Sequence, residues 1–569
     1  MDVGTPESLN TRPCVAEGLP IRMSNASTTI TPAAAPESAW APLRSRVFAI
    51  VWTATLIGNI GTWMRDVGAG WLMTSLSASA TAVALVQVAT TLPIFLLSLP
   101  AGALADILDR RRLLLIVYVL MVLVALVLGV VTHLGLMTPA LLVAGLGIAG
   151  VGVALTQPVQ QSLTPLLVKR PQLRSAIALN SLGVNVSRAI GPAVGGAVVA
   201  SFGVAVTFYA NALSYLMVIA VYWWWKGAST PASSGTPEQL GSAMRAGLRF
   251  ALHAPALQRT LLRAGSFFLF ASAYWALLPL IARRELGGGP TFYGVLLTCV
   301  GAGAVAGAIA LPKLRERVSG ESTMRIGVVL SVAVLVVLAT VREQALAAAA
   351  MAMAGAAWIA VLTTANVVAQ TNLPNWVRGR GLAIYLTVFY GAMTLGSLLW
   401  GQVADQTSIP VALLAAAALG VLAFLVALWK PLPELEPDLT PSMHWPEPAM
   451  APEMADSLAQ DRGPVLITVE YRVAVRDVPD FMAALNAFSK ERLRDGAFHW
   501  GVYEDAAQPG RFVESFLVPS WQEHERQHHR VSRADADLQD QVRQFHQGPD
   551  LPLVQHFIAP RPVTPGAKN

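Results

Sequence analysis

Long apolar runs recur from Val47 to Trp429, broken by short polar turns. They fall at 46–73, 80–104, 112–133, 138–160, 175–201, 205–225, 256–282, 291–312, 324–341, 345–370, 381–404 and 409–429. Each is near the roughly 20 residues that a helix needs to cross a bilayer core. The pattern predicts an all-α membrane protein of twelve transmembrane helices. A polar stretch from Lys226 to His253 divides them six and six, and 239–252 within it reads as an amphipathic helix on the membrane surface. Beyond Lys430 the period changes. Val465–Val475, Phe498–Asp505, Arg511–Pro519 and Leu553–Ile558 read as strands, with helices over Val478–Leu493 and Trp521–His546. The order βαββαβ predicts a small C-terminal ferredoxin-like α+β domain.

The implied division is a disordered cytoplasmic tail (1–42), a six-helix bundle (43–226), a cytoplasmic central loop (227–254), a second six-helix bundle (255–430), a Pro- and Glu-rich linker (431–463), the α+β domain (464–560) and a short tail (561–569). The first segment has no apolar core of a secretory signal, and Met23 is an alternative start. Hydrophobic residues make up 54% of the chain and charged ones 13%, about half the share usual in a soluble protein. The isoelectric point near 9.4 first suggests nucleic acid. Placement of the charges removes that reading. With the amino terminus inside, Lys and Arg crowd the inner turns, while Arg283, Arg284 and Arg342 stand alone outside. A multi-pass protein of the inner (plasma) membrane with both termini cytoplasmic follows, with the lipid bilayer rather than nucleic acid as partner. Cys14 and Cys299 are too few and too far apart for a metal site or a disulfide framework.

Between the second and third spans runs Gly102-Ala-Leu-Ala-Asp106-Ile-Leu-Asp-Arg110-Arg111-Arg112. It resembles the loop between helices 2 and 3 of major facilitator superfamily transporters, although the family usually has Gly where this chain has Asp109. The resemblance implies that Gly102, Asp106, Arg110 and Arg111 form a gate latch. Asp106 would approach the positive amino end of the eleventh span, near Arg378 and Arg380. In the fifth span, Gly191-Pro192-x-x-Gly195-Gly196 resembles the antiporter signature of the superfamily, with helix packing alone as the plainer explanation. Arg188, one turn earlier, is the basic residue placed well inside a span outside the first helix. A charge there costs at least about 2.5–3.5 kcal/mol, so it should face a cavity or a partner. It either binds an anionic substrate group or pairs with a carboxylate.

Arg65 and Asp66 lie in the first span. Two readings of Asp66 stand equal: a proton site in a cavity, or a residue at the outer interface. Asn59, Gln157, Asn180, Asn185 and Asn366 are further candidates for the substrate or proton path, and TQPVQQS (156–162) suggests a cavity wall. In the α+β domain, His524 and His528 share a helix face, yet no Cys or carboxylate completes a metal site.

The chain as a whole resembles the transmembrane secretion effector group of the superfamily, which includes enterobactin exporters. The run Leu163–Asn180 and Asn185-x-x-Arg188-x-x-Gly191-Pro192 carry that likeness. The terminal domain resembles antibiotic-biosynthesis-monooxygenase-like modules, which commonly dimerise. The resemblance implies a non-enzymatic exporter of a small molecule, a siderophore or an amphiphilic drug, that works by alternating access and proton antiport. It needs no cofactor beyond the proton gradient, and no ATP-binding Walker motif is present. Two alternatives stay open here: a membrane-anchored sensor or scaffold, and a monooxygenase active in the terminal domain.

Overall fold

The computed structural model describes residues 38, 40–225, 240–433, 438–442, 445 and 462–560. For 99, 102–103, 105–107, 240–244 and 529 it describes the backbone alone. Most of the expected tails, the central loop up to 239 and most of the linker lie outside these residues.

Twelve helices among them are long and apolar enough to cross a membrane. The first bundle is α1 (Arg46–Leu76), α2 (Ala80–Ile107), α3 (Arg110–His133), α4 (Pro139–Leu167), α5 (Leu173–Phe202) and α6 (Val204–Trp224). A short helix, α7 (Leu240–His253), precedes the second bundle. That bundle is α8 (Pro255–Leu280, extended by a π-helical turn to Glu285), α9 (Pro290–Arg315), α10 (Gly320–Thr340), α11 (Gln344–Thr371), α12 (Arg378–Gln406) and α13 (Ile409–Trp429). Local chemistry sets several ends. Ser45, Ser79, Asp109, Thr138, Ser319 and Ser408 each accept a backbone N–H as N-cap. Asp109, the departure from the family loop, thus starts α3.

The sequence placed the end of the fourth span at 160, yet α4 continues to Leu167. Gln160, Gln161 and Thr164 look like the end of an apolar run. They stay helical because they line an internal cavity instead of entering lipid. The bundles meet where α2 packs on α12 and α5 on α9. Thr91 and Thr394 share a hydrogen bond of 2.8 Å across the first seam, and so do Ser98 and Thr387. In the second seam, a Cβ at Gly196 would stand 2.9 Å from the Gly294 Cα, so only glycine allows this approach.

One buried ion pair is not legible in the sequence, where Arg263 counts only among the basic residues of the cytoplasmic side. Arg263 of α8 and Glu321 of α10 are 4% and 6% exposed and 3.0 Å apart. Glu321 also accepts from Arg325 and from the backbone N–H of Leu432, so the carboxylate is fully engaged.

The terminal domain is a four-stranded antiparallel sheet in the order β2-β3-β1-β4, the ferredoxin-like arrangement. Its elements are β1 (Val465–Arg472), α14 (Val478–Asp495), β2 (Phe498–Glu504), β3 (Arg511–Val518), α15 (Trp521–Arg530), α16 (Arg533–Arg543) and β4 (Leu553–Ile558). Val465, Ile467, Val469 and Tyr471 alternate inward onto Phe481, Leu485 and Phe488 of α14. The single helix expected over Trp521–His546 is broken in two. Ser532 caps α16 in a reciprocal capping box with Asp535, which restarts the helix on a new axis.

His524 of α15 lies under the sheet, with His528 and His556 at ring-centroid distances of 4.8 and 4.7 Å. Burial, reinforced by those neighbours, pushes its imidazole down to about 3. The unfolded residue titrates near 6.5, so below that pH the unfolded chain takes a proton that the folded domain refuses. Stability is therefore lost as pH falls from about 6.5 towards 3. Between pH 7.5 and 5.5 His524 alone removes about 1.4 kcal/mol. Calorimetry of the full chain should show one transition moving down by several degrees, and His524→Phe should flatten that shift. An identical transition at both pH values would mean that His524 protonates freely in the fold.

Candidate functional site

Helices from both bundles enclose a central cavity of about 200 Å³. α1 contributes Trp63 and Asp66, α2 contributes Gln87, α5 contributes Arg188, and the second bundle adds aromatic side chains including Trp275, Trp358 and Tyr390. A second cavity of about 660 Å³ lies inside the first bundle between α1, α4 and α5, lined by Asn59, Gln157, Gln160, Gln161 and Asn180. Trp63 lines both and stands at their junction.

The fifth-span signature explains how Arg188 reaches this place. At Gly191 a Cβ would meet the Trp63 Cβ at 2.5 Å, and at Gly195 it would meet the Met64 Cα at 3.0 Å. The two glycines seat α5 on α1, while Gly196 seats it on α9. Arg188, one turn before, is thereby held with its guanidinium carbon 5.9 Å from the Trp63 ring centroid. The signature packs the helix and, in packing it, aims the charge. Pro192 sits inside the unbroken α5. Its carbonyl lies 2.7 Å from where a Cβ at Gly294 would be, so this helix contact again requires glycine.

Among the described residues Arg188 makes no ion pair, and its Nε has no hydrogen-bond partner. The alternative of a structural carboxylate partner is therefore not realised in this conformation. Asp66 faces the same cavity, is about one-third exposed, and takes hydrogen bonds from Nε and Nη2 of the buried Arg65 at 3.0 and 2.7 Å. Asp66 and the Arg188 guanidinium, which has no ion pair among the described residues, thus line one cavity beside aromatic faces.

Other sequence candidates separate. Asn59, Gln157 and Asn180 line the larger cavity, with Asn180 donating to Thr164 Oγ1 at 3.0 Å. Asn185 donates to the Ser181 carbonyl, and Asn366 accepts from Gln370; both line neither cavity. Trp275 borders the central cavity, whereas Trp400 is packed and donates to the Leu269 carbonyl. In the opening loop, Arg111 donates to the carbonyls of Tyr222 and Trp223, both at 2.8 Å, tying α3 to the end of α6. Arg378 donates to the Leu373 carbonyl, and Arg380 backs onto Gly247 of α7. The side chain of Asp106 lies outside the described residues, so its latch remains an expectation of the sequence.

The sequence reading missed a latch on the opposite face. Asp405, at the end of α12, accepts from Ser79 Oγ and the Ala80 N–H, both at 2.5 Å, and from the Thr81 N–H at 2.9 Å. It caps the first turn of α2 across the two bundles. Arg283, on the same face, donates to Thr74 and Ser75 at 2.9 and 2.8 Å. A signal was present: Gly401-Gln-Val-Ala-Asp405 repeats the Gly-x-apolar-Ala-Asp spacing of Gly102–Asp106. Among the described residues no group of three His, Cys, Asp or Glu is arranged to hold a metal ion.

Two six-helix bundles about a shared cavity, locked together at one face, define a secondary transporter. The chain belongs to the transmembrane secretion effector family, whose profile matches residues 37–563 and so spans the terminal domain as well. It is 26% identical over 352 residues to a staphyloferrin A transporter of Staphylococcus aureus, covering 61% of this chain and 86% of that one. It is 28% identical to the multidrug efflux pump Tap of Mycobacterium tuberculosis, over 68% of this chain and 94% of the pump. Solved structures share the fold. An inward-facing, unoccupied bacterial homologue of the human lysosomal transporter Spinster superposes with a TM-score of 0.53 at 15% identity, over 68% of this chain and 98% of that one. A POT family transporter bound to 5-aminolevulinic acid gives 0.57 at 12% identity, over 68% and 96%.

Proposed function

We propose that this protein exports an anionic or amphiphilic small molecule, of the siderophore or drug class, in exchange for protons. The observation that carries the reading is that Asp66 and Arg188, which has no ion pair among the described residues, line one cavity that both bundles share. Arg188 takes the anionic group of the substrate, and the aromatic wall takes its apolar part. Asp66, held by hydrogen bonds from Arg65, carries the proton. Similarity to a siderophore transporter and to multidrug pumps supports the substrate class.

The face that carries Arg46, Arg110–Arg112 and Lys169 is the cytoplasmic one, in the plasma membrane, since basic turns stay inside. The large Gln- and Asn-lined cavity then forms the cytoplasmic approach. Rocking of the bundles exposes the central cavity alternately, with the Asp405 cap shutting the outer side. The terminal domain serves transport and is not itself an enzyme.

The test is uptake into inverted membrane vesicles, with catecholate siderophores and amphiphilic drugs supplied with and without a pH gradient. Gradient-dependent accumulation of an anionic compound is expected, and Asp66→Asn should abolish the dependence on the gradient. Accumulation that ignores the gradient would rule out proton exchange; none for any compound, in correctly inserted protein, would rule out export of these classes.

A further inference from the structure

The terminal domain holds a cavity of about 380 Å³ that transport through the bundles does not use. It lies between the inner face of the sheet and α15, with Trp445 from the linker closing one side. Arg492 forms part of its wall, stacked on Phe488, Phe516 and Trp445 with its guanidinium carbon 4.5, 4.8 and 5.0 Å from the ring centroids. Arg543 and the imidazoles of His524, His528 and His556 also face it, and no carboxylate is among its lining residues. Glu514, 3.4 Å from Arg492, is not among the lining residues and accepts from the Tyr471 hydroxyl and the Trp500 indole. Flat aromatic surfaces with donors and positive charge suit one kind of guest: a small planar aromatic anion. The volume is that of an ordinary small-molecule pocket.

The helix over this cavity has a second face. At 100° per residue, His524 and His528 lie together on one side of α15, and Glu523 and Arg530, seven apart, lie together on another. The second pair touches the transport bundles. Glu523 binds Arg249 of α7 at 3.2 Å, and the Arg530 guanidinium carbon lies 4.4 Å from the Trp376 ring centroid, just before α12 begins. Phe250 of α7 sits between Trp376, edge-on at 5.8 Å, and Arg494 of the terminal domain at 5.5 Å. Gly247 of α7 in turn rests against Arg380 of α12. A ten-residue helix therefore joins an internal cavity to the start of a gate helix.

We propose that the cavity under α15 is a regulatory site for a small aromatic anion, and that its occupancy reaches the transport bundles through Glu523 and Arg530. A guest that displaces His524 and His528 must move α15, and α15 cannot move without remaking its contacts with α7 and Trp376. The anion need not be the exported molecule.

The experiment uses the full chain in lipid nanodiscs and three probes: salicylate, 2,3-dihydroxybenzoate and 1-naphthoate, with 1-naphthalenemethanol as the neutral comparison. At least one anion should bind saturably by calorimetry, and the alcohol should bind about tenfold more weakly than 1-naphthoate. Val554→Trp, at the half-exposed mouth of the cavity, should weaken binding by at least about tenfold, while Arg188→Ala should leave it unchanged. Hydrogen exchange in peptides covering α7 should change on binding. In the double variant Glu523→Gln, Arg530→Gln the anion should still bind, but the α7 response should vanish. No saturable binding by any anion overturns the site. Binding lost in Arg188→Ala and kept in Val554→Trp places the anion in the central cavity and overturns it too. Binding without a change in α7 overturns the coupling. None of these readouts depends on transport, so failure of the vesicle assay would count against the export reading alone.

Discussion

Arg188→Ala is expected to cut gradient-driven uptake into inverted vesicles by roughly ten- to a hundredfold while the protein still inserts and folds. The magnitude follows from losing a hydrogen-bonded charge pair with the substrate, about 1.5–3 kcal/mol. Retained folding follows from the geometry. Arg188 has no carboxylate partner among the described residues, so its removal leaves no orphaned acid behind. Arg188→Lys keeps the charge but loses the planar, multi-donor guanidinium beside Trp63, and should recover only part of the rate. Neutral substrates should be nearly unaffected. Uptake of an anionic substrate at the wild-type rate in Arg188→Ala would show that the residue only fills space. Arg263→Ala makes the contrast, because it removes one of the two arginines that pair with the buried Glu321, leaving Arg325, and should cost about 1.5–3 kcal/mol of stability.

The second large effect is conformational. Asp405→Asn keeps the shape of the cap on α2 but removes its charge, and one of its two acceptor oxygens becomes a donor facing other donors. About 1–2 kcal/mol of closure at that face should be lost, shifting the open-to-closed ratio roughly five- to thirtyfold. A single cysteine at Thr90, which lines the central cavity, reports the change in a Cys14→Ser, Cys299→Ser background. A membrane-impermeant maleimide added from the Asp405 side should label it faster in Asp405→Asn. Equal labelling rates would mean that Arg283 and the glycine contact of α5 with α9 hold that face shut without the cap.

Much of the candidate site was legible because transmembrane helices announce themselves. A charge in an apolar run is costly, so Arg188, Arg65 and Asp66 stood out before any geometry was known. The same reasoning failed where cost is hidden. Arg263 and Glu321 lie near the ends of apolar runs, where a charge is cheap, and nothing local says that they are buried against each other. The cavity wall at Gln160 and Gln161 was legible in TQPVQQS, but the helix end was set at 160 instead of Leu167, because polarity within a window does not distinguish a helix end from a helix wall.

The number and order of the twelve spans, the six-and-six division and the four strands of the terminal domain could be read from the chain alone. These depend on residue type and period within short windows, and the bilayer and the pleat impose them locally. Tertiary structure alone decided which ends meet. Asp405 reaches Ala80 across 325 positions, Arg249 reaches Glu523 across 274, and α7 is clamped between the terminal domain and α12, not simply laid on lipid. An amphipathic face records that something covers it but not what, since a lipid surface and a neighbouring helix satisfy the same side chains. Only closing the chain over those distances chooses between them.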